Sequence, residues 1–422
     1  MSAMPGVVVT GLGFVTCIGL SKEAVSDSLR HLRHGIRPYP PFQRPDYQVK
    51  VAGIVGGFDV DSRDPEDWKL PADMPKLRLE QLRSLAPHCA YAIYSTTKAI
   101  ADAGLSPEMV SSERTGMYTA SSGSTANLYA YMDKLLKNGP RRCPPQGIVS
   151  SIAGTLNFNL VSFFKILGSS TGFVSACASS GHALGHAVDE IVLGRQDAMI
   201  VVGAEDCNLE TILPFDCIRA LSNNPDPDTA SRPFDKRRDG FVGTGGAVTM
   251  VIENEEKARA RGARVYAKIA GWGQASDGYH SMMPHPQGAG IARAMKNALA
   301  AAQAAPSDID YLNAHATSTQ AGDAAELKAI RHVFGSGARV AVSSTKALTG
   351  HALSLSSIME NAFTVLAMNE GYQPGSAHIG EPDDETAGIN VIRESLASPM
   401  RLAMSNSSGF GGANVSVIFQ HD

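Results

Sequence analysis

Apolar residues along this chain fall into two recurring patterns. Short continuous runs such as Val7-Val8-Val9 and Ala198-Met199-Ile200-Val201-Val202 have the length and β-branched content of buried strands. Between such runs, apolar residues recur at helical spacing. Leu184, Ala187, Val188, Ile191 and Val192 share one helical face, and Gly194 supplies the stop. Residues 90–103 and 291–304 read as helices in the same way.

The order of these elements repeats. The first half opens with a strand and glycine turn over residues 7–13. It continues with helix 90–103, the break Gly104-Leu105-Ser106-Pro107, and a strand with a small polar turn over 115–124. The second half opens with strand 265–271. It continues with helix 291–304, the break Ala305-Pro306-Ser307-Asp308, and strand 309–313 leading into a polar turn at His315. Strands alternating with helices predict an α/β fold with mainly parallel sheets covered by helices. The charged stretch 253–264 marks the boundary, dividing the chain into residues 1–255 and 256–422. Residues 37–75 and 223–239, rich in Pro and Asp, predict surface excursions.

Composition narrows the class. A length of 422 residues with 43% hydrophobic content suits a large folded body, and a formal net charge of -4 gives no reason to expect nucleic-acid binding. The start, Met1 to Gly6, runs directly into a strand, so no secretory signal is expected, and no apolar run suggests membrane insertion. The six cysteines form no CxxC pair, which predicts reduced thiols in a cytoplasmic protein and no zinc site. His182 and His186 stand one helical turn apart without a third ligand, so they read as packing or hydrogen-bonding residues and no metal is expected.

Three segments carry candidate chemistry. Cys177 lies in Val174-Ser175-Ala176-Cys177-Ala178-Ser179-Ser180-Gly181, among small residues just ahead of a helix. The helix dipole there favours the thiolate over an ordinary thiol of pKa about 8.5. A buried structural cysteine is the alternative for Cys177 alone. His315 lies in Asn313-Ala314-His315-Ala316-Thr317-Ser318-Thr319, after a strand, where α/β sheets place ligands. His351 ends Ser343-Ser344-Thr345-Lys346-Ala347-Leu348-Thr349-Gly350-His351, which follows the short strand 340–342.

Taken in this order, the three segments resemble the β-ketoacyl-acyl-carrier-protein synthases, elongation ketosynthases of the thiolase superfamily. The resemblance spans the chain, from Val8-Val9-Thr10-Gly11-Leu12-Gly13 through Ser231-Arg232-Pro233-Phe234-Asp235 to Gly409-Phe410-Gly411-Gly412-Ala413-Asn414. It implies a thiolase-like fold of two duplicated strand–helix halves in a layered αβαβα body. It implies that Cys177 carries the acyl chain, with the N–H groups of Cys177 and Phe410 as oxyanion hole. His315 and His351 are then the histidines that assist decarboxylation of a malonyl thioester, and Lys346 pairs with Glu360 as structural support. Thr317 and Thr319 correspond to residues that bind pantetheine. No resident cofactor is implied, because phosphopantetheine arrives on the acyl carrier protein. The family also implies a homodimer, or a heterodimer with a chain-length-factor-like subunit.

The chain departs from the family pattern at Ser408, where a gating Phe is usual, and at Gly245, where a glutamate is usual. These departures point to a specialised fatty-acid, polyene or polyketide substrate. The alternative is a carrier-binding partner subunit with little activity of its own. Residues 119–125 resemble a dimer-interface stretch near the acyl tunnel. Lys76, Arg78 and Arg83, with Arg232, Lys236, Arg237 and Arg238, form either a basic docking patch or a solvated face.

Overall fold

The computed structural model describes residues 5–421. The first half runs β1 (Val7–Val15), α1 (Pro87–Ala103), β2 (Thr115–Ala120), α2 (Thr155–Phe164), β3 (Ser170–Phe173), α3 (Ser179–Val192), β4 (Ala198–Glu205) and β5 (Gly246–Asn254). The second half runs β6 (Ala267–Ser276), α4 (Ala289–Ala302), β7 (Tyr311–Asn313), α5 (Gln320–Phe334), β8 (Ala341–Ser343), α6 (Ser356–Asn369), β9 (Leu402–Gly409) and β10 (Ala413–Gln420). Chain chemistry sets the ends of these elements. Helix α1, for example, has Pro87 in its first turn, where no N–H is needed, and stops at Gly104 in the left-handed region at φ 64°.

The strands hydrogen-bond in the order β8-β7-β9-β10-β6-β1-β5-β4-β2-β3. From the centre outward, both halves follow one sequence: first strand, fifth, fourth, second, third. In each half the second strand is parallel to the third and fourth, and the fifth is antiparallel to the fourth and first. The halves meet antiparallel at Val8↔Lys268 and Val9↔Ala267. The expected repeat is therefore present, but the mainly parallel sheet is not: the sheet is mixed. Between β9 and β10 only Phe410–Gly412 intervene, far too few residues for the crossover that a parallel pair requires.

Helices α3 and α6 pack together between the halves. Leu184 and Ala187 of α3 share one core with Ile358 and Phe363 of α6 and with Phe14 of β1 and Val417 of β10. The contact is close: a Cβ on Gly181 would meet Ser357 Oγ at 2.4 Å. Helices α1 and α2 pack in a second core with the first half's strands, and α4 and α5 in a third with the second half's. The result is the layered αβαβα arrangement, with the N-terminal ends of α3 and α6 meeting in its middle.

The two expected surface excursions are partly interior. Ile36–Pro38 and Val51–Gly53 pair as a hairpin, and Tyr39, Phe42 and Val49 bury against Ile212 and Phe241. In the second excursion Asn223, Asp226 and Asp228 are exposed, but Ser231, Phe234, Asp235 and Arg238 are buried. No helix among the described residues is long and apolar enough to cross a membrane. Met1 to Met4, on which the expectation of no secretory signal partly rests, lie outside the described residues.

Candidate active site

Cys177 sits in the turn that launches α3. Ala176 before it takes a left-handed φ of 50°. Ser179 holds this turn from both sides: its hydroxyl accepts from Ser175 N–H at 2.8 Å and donates to Ala176 O at 2.6 Å. The end of β9 comes up against the same turn. A Cβ on Gly409 would lie 2.9 Å from Cys177 N and 2.8 Å from Ser175 O, so a glycine is needed there. This places the Gly409–Phe410 peptide beside the Cys177 backbone.

Two loops bring histidines to the sulfur. His351 Nε2 is 3.0 Å from Cys177 Sγ. The His351 backbone pairs with residues 242–244, through His351 N–H to Val242 O at 2.7 Å and Thr244 N–H to His351 O at 3.1 Å. The ring of His315 stands edge-on to that of His351, centroids 5.3 Å apart. Parallel pairing of β7 with β8 aligns the two loops, and Ala314 N–H to Ser343 O and Ser344 Oγ to Ala316 O tie them together at 2.8 and 2.7 Å. Lys346 is fully buried and donates to Glu360 Oε2 at 2.7 Å. A surface role for this lysine is thereby excluded.

Burial pushes the Cys177 thiol up to about 12, against the opposing pull of Lys346. Desolvation favours the neutral thiol and so opposes the helix dipole. Burial, reinforced by the charge of Lys346, holds His315 and His351 well below the usual imidazole range. All three shifts favour the uncharged forms, a neutral thiol beside neutral imidazoles. Such imidazoles can donate a hydrogen bond to a developing oxyanion without first losing a proton.

Glu326 on α5 was not singled out by the sequence, yet it fixes the His315 loop. Its two oxygens accept from His315 N–H at 2.9 Å and Ala316 N–H at 2.8 Å, and Asn406 Nδ2 donates to it at 3.1 Å. Arg238 holds the next stretch. It donates to Thr319 O and Gln320 O at 3.2 and 3.0 Å and pairs with Asp323 and Asp383. Thr317 and Thr319 hydroxyls touch at 3.0 Å. A cavity of about 530 Å³ opens over the site, lined by Cys177, His315, His351, Thr317, Thr319 and Ser408, with Phe215, Met282 and Phe410 among its apolar wall.

Residues 4–258 match the family description "Beta-ketoacyl synthase, N-terminal domain" and residues 266–380 match "Beta-ketoacyl synthase, C-terminal domain". The chain belongs to the β-ketoacyl synthase family. It is thus an acyl-transferring condensing enzyme with the thiolase-type fold. It is 38% identical over 420 residues to the 3-oxoacyl-[acyl-carrier-protein] synthase 1 of Haemophilus influenzae, covering 98% of each chain. A crystal structure of a β-ketoacyl synthase from Burkholderia phymatum superposes with a TM-score of 0.90 at 33% identity, over 99% of this chain and 100% of that one. A type II polyketide acyl-carrier protein in complex with its ketosynthase, AntDE:AntF, superposes with a TM-score of 0.87 at 25% identity, over 100% of each chain.

Other expectations for this β-ketoacyl synthase resolve on contacts. Gly245 has no room for a side chain: a Cβ would lie 2.6 Å from both Cys207 N and Glu205 O. Two buried carboxylates lie nearby: Glu205, bonded to Ser122 and Ser354, and Asp206, bonded to His88. In the segment 119–125, Ser121 bonds His88 at 3.1 Å and Ser124 bonds Asp206 at 2.6 Å, so its hydroxyls serve an interior network. Ser408 faces the cavity and donates to Asn414 Oδ1 at 2.7 Å. His182 bonds Ser175 at 2.8 Å, and His186 packs between Phe173 and Trp272. The basic patch loses Arg238 to the interior, and Arg83, Lys236 and Arg237 each face a carboxylate.

Proposed function

We propose that Cys177 accepts an acyl group from acyl carrier protein and that the chain condenses it with malonyl-acyl-carrier protein. The observation that carries this reading is the convergence of Cys177, His351 and His315 on one cavity, with His351 Nε2 3.0 Å from the sulfur. In the first half-reaction the sulfur attacks the thioester carbonyl, the C–S bond to the carrier breaks, and the thiol proton ends on the departing carrier thiol. The N–H groups of Cys177 and Phe410 are the donors for the tetrahedral oxyanion. In the second, malonyl thioester loses CO2 and its electron pair forms an enolate. His315 and His351 donate to the enolate oxygen. The enolate carbon then attacks the acyl-cysteine, the Cys177–acyl bond breaks to give a β-ketoacyl product, and the departing sulfur takes up one proton from solvent to regenerate the thiol.

Thr317 and Thr319, exposed to the cavity, suit the pantetheine arm. Lys346 and Glu360 support the site from beneath without touching substrate. This reading needs no resident cofactor, since phosphopantetheine comes with the carrier. Residues 1–255 supply the nucleophile and residues 256–422 the histidines. The cellular setting proposed is the cytoplasm.

A homodimer fits the surface. The edge strand β3 is largely exposed and is flanked by exposed Leu167 and Val174, while the helix Thr125–Asn138 buries none of its residues and leaves Leu136 80% exposed. A chain-length-factor-like subunit is the second occupant for that face. The small, polar Ser408 at the cavity favours a specialised acyl chain over an ordinary saturated one. The test is a reconstitution with malonyl-carrier and a series of saturated, unsaturated and branched acyl-carriers. β-Ketoacyl product supports the reading, and best turnover of ordinary saturated chains would remove the specialised part of it. No product from the folded chain alone, with activity restored by a partner subunit, would favour the alternative.

A further inference from the structure

The approach to α6 is built from buried hydroxyls. Ser354, just ahead of the helix, donates to the carboxylate of Glu205. Ser356, the first helical residue, lies with its oxygen 2.9 Å from His351 Nδ1 and 3.0 Å from Ala352 N. The Ala352 N–H can only donate, so it occupies a lone pair of that oxygen. The hydroxyl keeps one proton to place. Among the described residues, His351 Nδ1 is the one acceptor it has. A buried hydroxyl without an acceptor is destabilised, so the proton goes to Nδ1. A neutral imidazole that accepts at Nδ1 carries its own proton on Nε2. That nitrogen is the one facing Cys177 Sγ.

We propose that Ser356 is a positioning residue that keeps the His351 proton on Nε2, the form able to donate to a substrate carbonyl at Cys177. This rests on the roles given above to Cys177 and His351. It also makes a distinction between the half-reactions. Stabilising the enolate requires an Nε2–H donor, whereas acyl transfer to the sulfur relies on the backbone N–H groups. Losing Ser356 therefore weighs on condensation more than on acylation.

The experiment is 15N spectroscopy of the histidine-labelled protein, with and without Ser356→Ala, alongside separate rates for the two half-reactions. In the wild type, His351 is expected to show a protonated Nε2 and an unprotonated Nδ1. In Ser356→Ala this preference is expected to be lost. The condensation step of pre-acylated enzyme is expected to fall about tenfold, the worth of one buried hydrogen bond, with acylation of Cys177 changed much less. A wild-type His351 protonated on Nδ1 would overturn the proposal whether or not the variant folds. So would equal losses in the two half-reactions. A wild type that is never acylated on Cys177 would instead defeat the functional reading, which the spectrum tests separately.

Discussion

Lys346 and Glu360 form an ion pair in which neither side chain meets solvent, Nζ 2.7 Å from Oε2. Burial pushes the Glu360 carboxyl upward, and Lys346 pulls it back. Two charges so placed depend on each other. Removing one leaves the other buried and unpaired, at a cost of about 3–5 kcal/mol. Glu360→Ala is expected to lower the melting temperature strongly. Adding Lys346→Met to a neutralised Glu360→Gln is expected to recover much of that stability. Condensation should stay impaired in the double variant, because the charge that acts on Cys177 and both histidines is gone. Thermal melts and turnover measured on the same samples separate the two effects.

The pH dependence of the site follows from its neutrality. With the Cys177 thiol held at about 12, the thiolate fraction rises tenfold per pH unit through the accessible range. Alkylation by iodoacetamide, read by mass at Cys177, is expected to climb without a plateau below about pH 10. The histidines give the acid side. Because their folded values lie well below 6.5, they stay neutral as pH falls through the ordinary imidazole range. Decarboxylation is expected to show no loss centred near pH 6.5. An alkylation plateau near neutral pH would mean a thiolate–imidazolium pair instead.

Glu326 carries the His315 loop on two charge-assisted backbone hydrogen bonds. Glu326→Ala leaves two N–H groups without their acceptor and is expected to cost about 2–5 kcal/mol of stability. Glu326→Gln keeps one oxygen and should fall between. For both variants the decarboxylation of malonyl thioester, which needs His315, is expected to drop more than acylation of Cys177. A half-reaction assay reads this directly.

The two halves and the principal side chains were legible because each sits on a local signal. Cys177, His315 and His351 follow strands and lie among small residues, and Lys346 is bound to the His351 motif. Other features depend on distant chain segments. The antiparallel pairs of β4 with β5 and β5 with β1 carry no local mark, because a buried strand reads the same in either polarity. Glu326 is one acid among several on α5 until the helix folds under the His315 loop. Lys236-Arg237-Arg238 looks like a solvated run. Yet Arg238 is 2% exposed, turned onto Asp323, while Lys236 and Arg237 are 49% and 63% exposed. The electrostatic setting of Cys177 divides in the same way: the helix start is visible in sequence, but the desolvation that opposes it depends on distant segments.

Ser408 lines the cavity together with Cys177 and Phe410. A phenyl ring there would lose the 2.7 Å bond to Asn414 and take up part of the cavity that Cys177 also lines. Ser408→Phe is expected to slow loading of long or rigid acyl chains more than short ones, shifting the preferred acyl-carrier toward shorter chains. Competition between acyl-carriers of different length, read by the mass of the Cys177 adduct, tests this. An unchanged preference would mean that selectivity is set elsewhere in the cavity.

The most direct test of the central claim is intact-protein mass spectrometry of the wild type and Cys177→Ala after incubation with acyl-carrier thioesters. The account predicts one acyl adduct per chain on the wild type and none on the variant, with the adduct consumed when malonyl-carrier is added. An adduct that persists in Cys177→Ala would contradict it. So would a wild-type adduct that malonyl-carrier never discharges.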